Sequence, residues 1–485
     1  MSSNSEKTKI AALVIFSILF FSAIRTGFVV GKNYRLREDW SFNTSTYITI
    51  DYPGVNTVVE DYDRIDSPLQ IRDINNDDQL EFIFRTSSEE LACYSIDGTR
   101  IWITYKIDNL QYPVVDDLDN DLFLETIFST YGYLYVFDHA GEMIWNTWSM
   151  DLSYIDSPYI LDLDNDSLKE IFISSSYSNK AYCFDHTGNL LWNFTAQDGL
   201  YSYTYSYAIP TSADLDNDGY QEILFSGADV SHKENQDNKF YCLNYNGTLR
   251  WEIATDGFVS RTAIVEDINN DNESEILLYS RNHITGHPYL YCLDANGTLI
   301  WKNHLSSIYT QPICYDIDND DFFEIIYSYT NTTDGKSYIE CYNYHYDLLW
   351  QATPKNPINA DITAADIDND TIPEILGYRS KYDSKYFYCF TNSGELKWKY
   401  KVDNFIDSYY LLDIDLDGFQ EIICVQHDSY VLGDIIACFK LYDRDYFLGV
   451  TLLPVCIVSV VLMILIAVVI IYSIKLKRMQ RTSRP

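Results

Sequence analysis

Asp214-Leu-Asp-Asn-Asp-Gly-Tyr-Gln-Glu-Ile-Leu-Phe225 is one copy of a pattern that recurs eight times along the chain. The pattern reads Asp-x-Asp/Asn-x-Asp-x-x-x-Glu and then runs into apolar residues. Its copies begin at Asp73, Asp117, Asp162, Asp214, Asp267, Asp316, Asp366 and Asp413, at spacings of 44, 45, 52, 53, 49, 50 and 47 residues. A second pattern follows each of the first seven copies. It is an aromatic- and Cys-rich segment, a turn that usually contains Gly, and then Trp, at Trp102, Trp145, Trp192, Trp251, Trp301, Trp350 and Trp398. A period of 40–50 residues with about four short β-rich segments is the signature of propeller blades. Alternating apolar and β-branched residues favour strands over helices. Each repeat therefore reads as strand A before the acidic loop, strand B after it, strand C with the Cys and strand D with the Trp.

The eighth repeat has strands A to C, through Ala437-Cys438-Phe439, and no Trp after them. The missing strand stands at the other end: Arg37-Glu-Asp-Trp40-Ser-Phe precedes the first acidic loop. Docked beside strand C of the last repeat, it closes the ring and leaves no open sheet edge. The expected fold is all-β, an eight-bladed propeller over residues 32–445, with seven blades plus a hairpin as the alternative count.

Carboxylates at positions 1, 3, 5 and 9 of a tight loop converge on one point. Hard oxygens in that number suit calcium, with a position-7 carbonyl and water completing the shell; magnesium wants a smaller octahedron. Without a cation the acids repel one another. The candidate ligands are Asp73, Asn75, Asp77 and Glu81; Asp117, Asp119, Asp121 and Glu125; Asp162, Asp164, Asp166 and Glu170; and Asp214, Asp216, Asp218 and Glu222. The second half of the chain adds Asp267, Asn269, Asp271 and Glu275; Asp316, Asp318, Asp320 and Glu324; Asp366, Asp368, Asp370 and Glu374; and Asp413, Asp415, Asp417 and Glu421. Up to eight Ca2+ ions are expected.

The loop resembles the FG-GAP repeat of integrin α-chains and related extracellular propellers, whose loop reads Asp-x-Asp/Asn-x-Asp-Gly-x-x-Asp. That resemblance implies calcium ligation by the same positions. This chain departs from it by using Glu for the last Asp. It has Gly at position 6 only in Gly219 and Gly418. Position 6 calls for a positive φ, which Asp78, Asn272 and Asp321 tolerate and Leu122 and Thr371 tolerate poorly. The second and seventh loops are therefore expected to bind most weakly. The Trp half resembles the PQQ-like propellers, whose blades share a strand–Asp-x-x-Gly-x-x-x-Trp segment. Quinoprotein dehydrogenases of that kind place an adjacent Cys-Cys disulfide against the cofactor, and no Cys-Cys pair occurs here.

The chain of 485 residues carries 71 Asp+Glu against 34 Lys+Arg, a net charge of −37. That sign excludes a phosphate-backbone binder, so no nucleic-acid partner is expected. At 47% hydrophobic and 16% aromatic residues the chain is not disordered. Thirty of the acids are loop ligands; setting them aside moves the charge from −37 to −7.

The ends point to a membrane. Ile10–Ala23 is an apolar run after Lys7 and Lys9, read as a signal peptide or an uncleaved anchor within residues 1–31. Phe447–Ile474 carries no charge and is long enough to span the hydrocarbon layer. Lys475, Lys477, Arg478, Arg481 and Arg484 follow it, which marks residues 475–485 as a cytoplasmic tail. The propeller is then expected outside the cell, at the cell surface, held by a span over residues 446–474.

Nothing in the motifs is specific for catalysis, and no enzyme activity is expected. The paired acids suit glycoside hydrolysis in principle, but metal-bound acids cannot titrate as acid and base. His139 and His186 occupy the same turn position of successive repeats and read as turn residues. Cys93, Cys183, Cys242, Cys292, Cys341, Cys389 and Cys438 take equivalent strand C positions and read as small buried residues. A Cys424–Cys438 disulfide is left open. Sequons at Asn43, Asn193, Asn246, Asn296 and Asn331 suit an extracellular glycoprotein, while those at Asn165, Asn272 and Asn369 fall inside acidic loops. Segments 226–239, 280–288, 328–336 and 379–385 read as insertions between strands B and C, and 193–207 as a Tyr-rich insertion. Variable aromatic loops on a rigid ring suit cell-surface adhesion or recognition of an extracellular protein or glycan partner, with a structural or assembly scaffold of the cell envelope as the alternative. The oligomeric state is not legible.

Overall fold

The computed structural model describes residues 34–443 apart from short stretches, chiefly 149–156, 197–208, 228–237, 306–310, 355–361, 415–419 and 428–433. Two compact units divide the chain. One is Glu38–Lys440; the other joins Met1–Arg37 to Leu441–Pro485, and only residues 34–37 and 441–443 of it are described.

The first unit is an all-β propeller of eight blades. Blade 4 shows the plan: strand A is Thr211–Ala213, B is Glu222–Gly227, C is Asn238–Leu243 and D is Leu249–Thr255, antiparallel in that order. Blade 8 takes strands A to C from Phe405–Leu412, Glu421–His427 and Asp434–Asp443, and its fourth strand is Tyr34–Asn43. The closure expected from Arg37–Phe42 is thus present. The seven-bladed alternative fails, because a separate hairpin, Ser45–Tyr52 paired with Val55–Tyr62, exists in addition to the eight sheets.

Strands B and C are covered on both faces by neighbouring blades, which is why they read as short continuous apolar runs. Leu224, Phe240 and Cys242 of blade 4 pack on Ile276, Leu278 and Tyr291 of blade 5. At the closure, Phe82, Phe84 and Tyr94 of blade 1 pack on Ile423, Val425 and Ile436 of blade 8. Blade 7 meets blade 8 through Phe387, whose ring lies against those of Tyr409 and Phe439. Strand D alternates instead, as its outer face meets water: Leu190–Thr195 exposes every other residue after its first pair.

The repeated Cys and Trp have a joint explanation. Cys183 lies directly opposite Trp192, Cys242 opposite Trp251 and Cys292 opposite Trp301, each just before a β-bulge. The indole of Trp192 donates from Nε1 to the Tyr245 carbonyl of the next blade at 2.9 Å, and Trp145 does the same to His186 at 3.0 Å. The indole also lies flat on the next blade's turn glycine. A Cβ on Gly247, where φ is +77°, would stand 2.5 Å from the Trp192 ring, so the site excludes any side chain. His139 and His186 are indeed turn residues whose carbonyls receive these bonds.

One expectation changes, one open pairing is decided, and others lie outside the described residues. Strand pairing runs through Ser380–Lys385 and Lys381–Ser384, and tight turns at Asn282–His287 and Asn331–Lys336 cap hairpins that extend further than expected. These insertions are lengthened strands with short ends rather than long loops. Cys424 pairs with Ala437, and Cys438 with Ile423. A one-residue offset sends the two thiols to opposite faces of the sheet, so this register does not bridge them. The segments 10–23 and 447–474 and the Tyr201–Tyr207 stretch lie outside the described residues; among the described residues no helix is long and apolar enough to cross a membrane.

Candidate metal centres

Each acidic loop joins strand A to strand B, and in the seven loops described throughout, the backbone is wound around its own carboxylates. In loop 6, Asp316 accepts from the Asp320 and Asp321 N–H groups at 3.1 Å each, and Asp320 accepts from Phe322 N–H at 3.0 Å. Glu324 reaches back and accepts from Ile317 N–H at 3.0 Å. The same four bonds recur in loops 1 to 5 and 7, with Asp73, Asp117, Asp162, Asp214, Asp267 and Asp366 as the two-bond acceptors. In loop 8, Glu421 accepts from Ile414 N–H at 2.8 Å, while Asp415 and Asp417 lie outside the described residues.

This winding needs two left-handed residues per loop. Position 6 has a positive φ in all seven described copies, including Leu122 at 75°, Thr371 at 71° and Ser167 at 74°. Position 4 does too, at Asn76, Asn120, Asn165, Asn217, Asn270, Asn319 and Asn369. Asn is the residue that adopts this conformation most cheaply after Gly. The sequence signal was plain, an Asn at the same place seven times, and the reading above missed it. It also explains the sequon-like Asn165 and Asn369, which are backbone residues of the loop first.

Neighbouring loops are tied together. The position-8 N–H of one loop donates to the position-2 carbonyl of the preceding one, from Leu124 to Ile74, Lys169 to Leu118, Gln221 to Leu163 and Phe323 to Ile268. Loop 7 has Pro373 at that place, with no N–H to give. Loops and C–D turns share one face of the propeller: Phe123 stacks on His139, Tyr220 on Tyr245 and Phe322 on Tyr344.

The acids converge as expected. One oxygen each from Asp117, Asp119 and Glu125 lies within 4.8 Å of the others, as do oxygens of Asp162, Asp164 and Glu170; of Asp214, Asp216 and Asp218; of Asp316, Asp318 and Asp320; and of Asp366, Asp368 and Glu374. Two oxygens on one calcium at 2.3–2.6 Å stand at most about 5 Å apart, so the sets of loops 2, 3 and 6 fit a single ion, while in loops 4 and 7 a basic side chain lies among the acids. The Asn75 and Asn269 Oδ1 atoms are buried and accept no hydrogen bond, and an orphaned buried oxygen at position 3 of a loop is what a missing cation leaves behind. In loop 7 the position-3 Asp368 leaves Oδ1 unbonded while its Oδ2 takes Lys397.

The position-9 carboxylates are the most strained electrostatically. Glu125, Glu170, Glu275 and Glu324 are pushed up to about 7, by burial first and then by the loop aspartates. Glu374 is also pushed up to about 7 by burial, against the pull of Lys397, and Glu81 and Glu222 are raised. In two loops a basic side chain joins the acids. Lys397 Nζ lies 2.7 Å from both Asp368 Oδ2 and Glu374 Oε1. Arg250 Nη1 lies 2.5 Å from Asp216 Oδ2 and 3.5 Å from Glu222 Oε1. Burial opposes the charge on Lys397, and the two carboxylates outweigh it and hold the ammonium above its usual range. Sequence reading missed both contacts, because each crosses from strand D to the loop of its own blade.

Two family models match parts of the chain. Residues 162–225 match the FG-GAP-like repeat, and residues 235–315 match the lambda-carrageenase beta-propeller domain. No curated protein matches the sequence. Among solved structures, the Dos1 propeller is 9% identical and covers 83% of this chain and 94% of its own, with a TM-score of 0.48. The V. cholerae biofilm matrix protein Bap1 is 13% identical and covers 84% and 91%, at 0.40. BBS1N, in complex with ARL6DN and soaked with lead, is 8% identical and covers 82% and 98%, at 0.43. The chain is an eight-bladed β-propeller that carries FG-GAP-like repeats.

Proposed function

We propose that this chain is a calcium-loaded propeller, held at the cell surface by its C-terminal apolar segment, that recognises an extracellular protein or glycan. The observation that carries the reading is the set of convergent loop oxygens, with position-3 oxygens buried and unbonded in Asn75 and Asn269. Such a set calls for a hard divalent cation, and an extracellular calcium level would supply it. Support for the anchor is the uncharged run Phe447–Ile474 with its basic flank. Support for a non-catalytic role is that the paired acids a hydrolase would use are committed to the loops.

The test is capture of surface partners by the full-length protein in detergent, with calcium and with chelator. Calcium-dependent capture, weakened when Tyr201, Tyr203, Tyr205 and Tyr207 are changed to Ala, is the expected result. A protein that takes up no calcium at all overturns the metal half of the reading.

A further inference from the structure

In blades 1 to 7 strand D begins two residues before its Trp, and the residue between the two is the one that distinguishes the blades. In five blades that residue is aliphatic and about half exposed, as at Ile144, Leu191 and Ile300. In blades 4 and 7 it is Arg250 and Lys397, and both fold inward onto acids. Their targets are the position-3 carboxylate and Oε1 of the position-9 Glu. In those same loops Oε2 of the Glu is already engaged by a backbone N–H, so Oε1 is the oxygen it has left to offer an ion.

We propose that Arg250 and Lys397 are tethered cations that occupy the fourth and seventh loops in place of calcium. The inference rests on the calcium reading of the other loops. Calcium must sit 2.3–2.6 Å from its oxygens, and Lys397 Nζ already stands 2.7 Å from two of them. The two cations cannot share that space. Both basic groups are well covered, with side-chain exposures of 17% for Arg250 and 23% for Lys397, so they are not solvated surface charges swinging past the loop. The chain would then fill at most six loops with metal and close two by itself.

The experiment counts calcium per chain by equilibrium dialysis of the full-length protein in detergent. Arg250→Ile and Lys397→Ile install the residue type of the sister blades. Each is expected to bind one calcium more than the unaltered chain, and the double variant two more. Arg250→Lys, which keeps the charge, is expected to leave the count unchanged. Folded variants that bind no more calcium than the unaltered chain overturn the proposal, as does an unaltered chain that binds eight. An unaltered chain that binds none removes the calcium reading itself, a different failure. Should the variants not fold, hydrogen exchange on the unaltered chain decides. In chelator, loops 4 and 7 keep their protection while loops 2, 3 and 6 lose it; the same change in all five loops overturns the proposal.

Discussion

Each blade carries two repeated joints, and they are built from opposite chemistry. At the C–D turn, the Trp of one blade lies on the glycine of the next and donates one hydrogen bond to it, as Trp192 does at Gly247 and Tyr245. Nothing there depends on the solvent's ions. At the A–B loop, on the same face, sets of three acidic side chains are drawn together by a loop wound on its own backbone N–H groups, into mutual repulsion. On the calcium reading proposed above, the first joint is unconditional and the second is conditional, so the ring's shape would be fixed by packing and its rigidity by the ions around it.

The largest effect should come from removing calcium. Each filled loop is worth about 3 kcal/mol when free calcium is a hundredfold above Kd, so chelator should lower the thermal midpoint steeply. A midpoint that does not move would reduce the loops to solvated turns. Next comes pH in the metal-free protein. The position-9 carboxyls are pushed up to about 7 from an ordinary 4.5. Folded-state pKa values above the unfolded ones give stability that is present below pH 4.5 and lost as pH rises through 7. Screened by nearby water, each group contributes about 1 kcal/mol. Unfolding in chelator at pH 5 and pH 8 should therefore show the acid sample as the more stable, and calcium should reverse the order.

The tryptophan joint should answer differently. Gly247→Val forces a side chain into the Trp192 ring at positive φ and should cost roughly 2–4 kcal/mol. The loss should be the same with calcium and with chelator; a loss confined to chelator would mean the two joints are coupled. The smallest change is Leu122→Gly, which relieves a left-handed leucine. It should stabilise by up to about 1 kcal/mol in thermal unfolding.

Most of this architecture was legible in the sequence, because blade, loop and joint each repeat with a period the eye can follow. The carboxylate spacing predicted the convergence, and the orphan strand at Arg37–Phe42 predicted the closure. What escaped reading was of two kinds. The left-handed Asn at position 4 was visible, yet its role is a backbone one, and attention fell on side-chain ligands. Arg250 and Lys397 were not legible at all as loop partners. Their contact depends on how far strand D leans over the loop, which no spacing encodes. The hairpin Ser45–Tyr62 belongs to no repeat, so periodicity could not point to it. The segment 379–385 was read as an insertion because the length of a repeat does not tell added loop from added strand.

The closing blade also carries a consequence for how the protein is made. Strand Tyr34–Asn43 is among the first parts of the ring to be synthesised, and its partner Asp434–Asp443 is the last. Through the synthesis of every intervening blade, that first strand has no sheet to join, and blade 1 has no neighbour on one side. Ring closure is a contact of very high sequence separation, the kind that slows folding and leaves strand edges open to wrong pairing. Late blades should reach the native state together rather than one at a time, and the nascent chain should lean on chaperones until residue 443 has emerged.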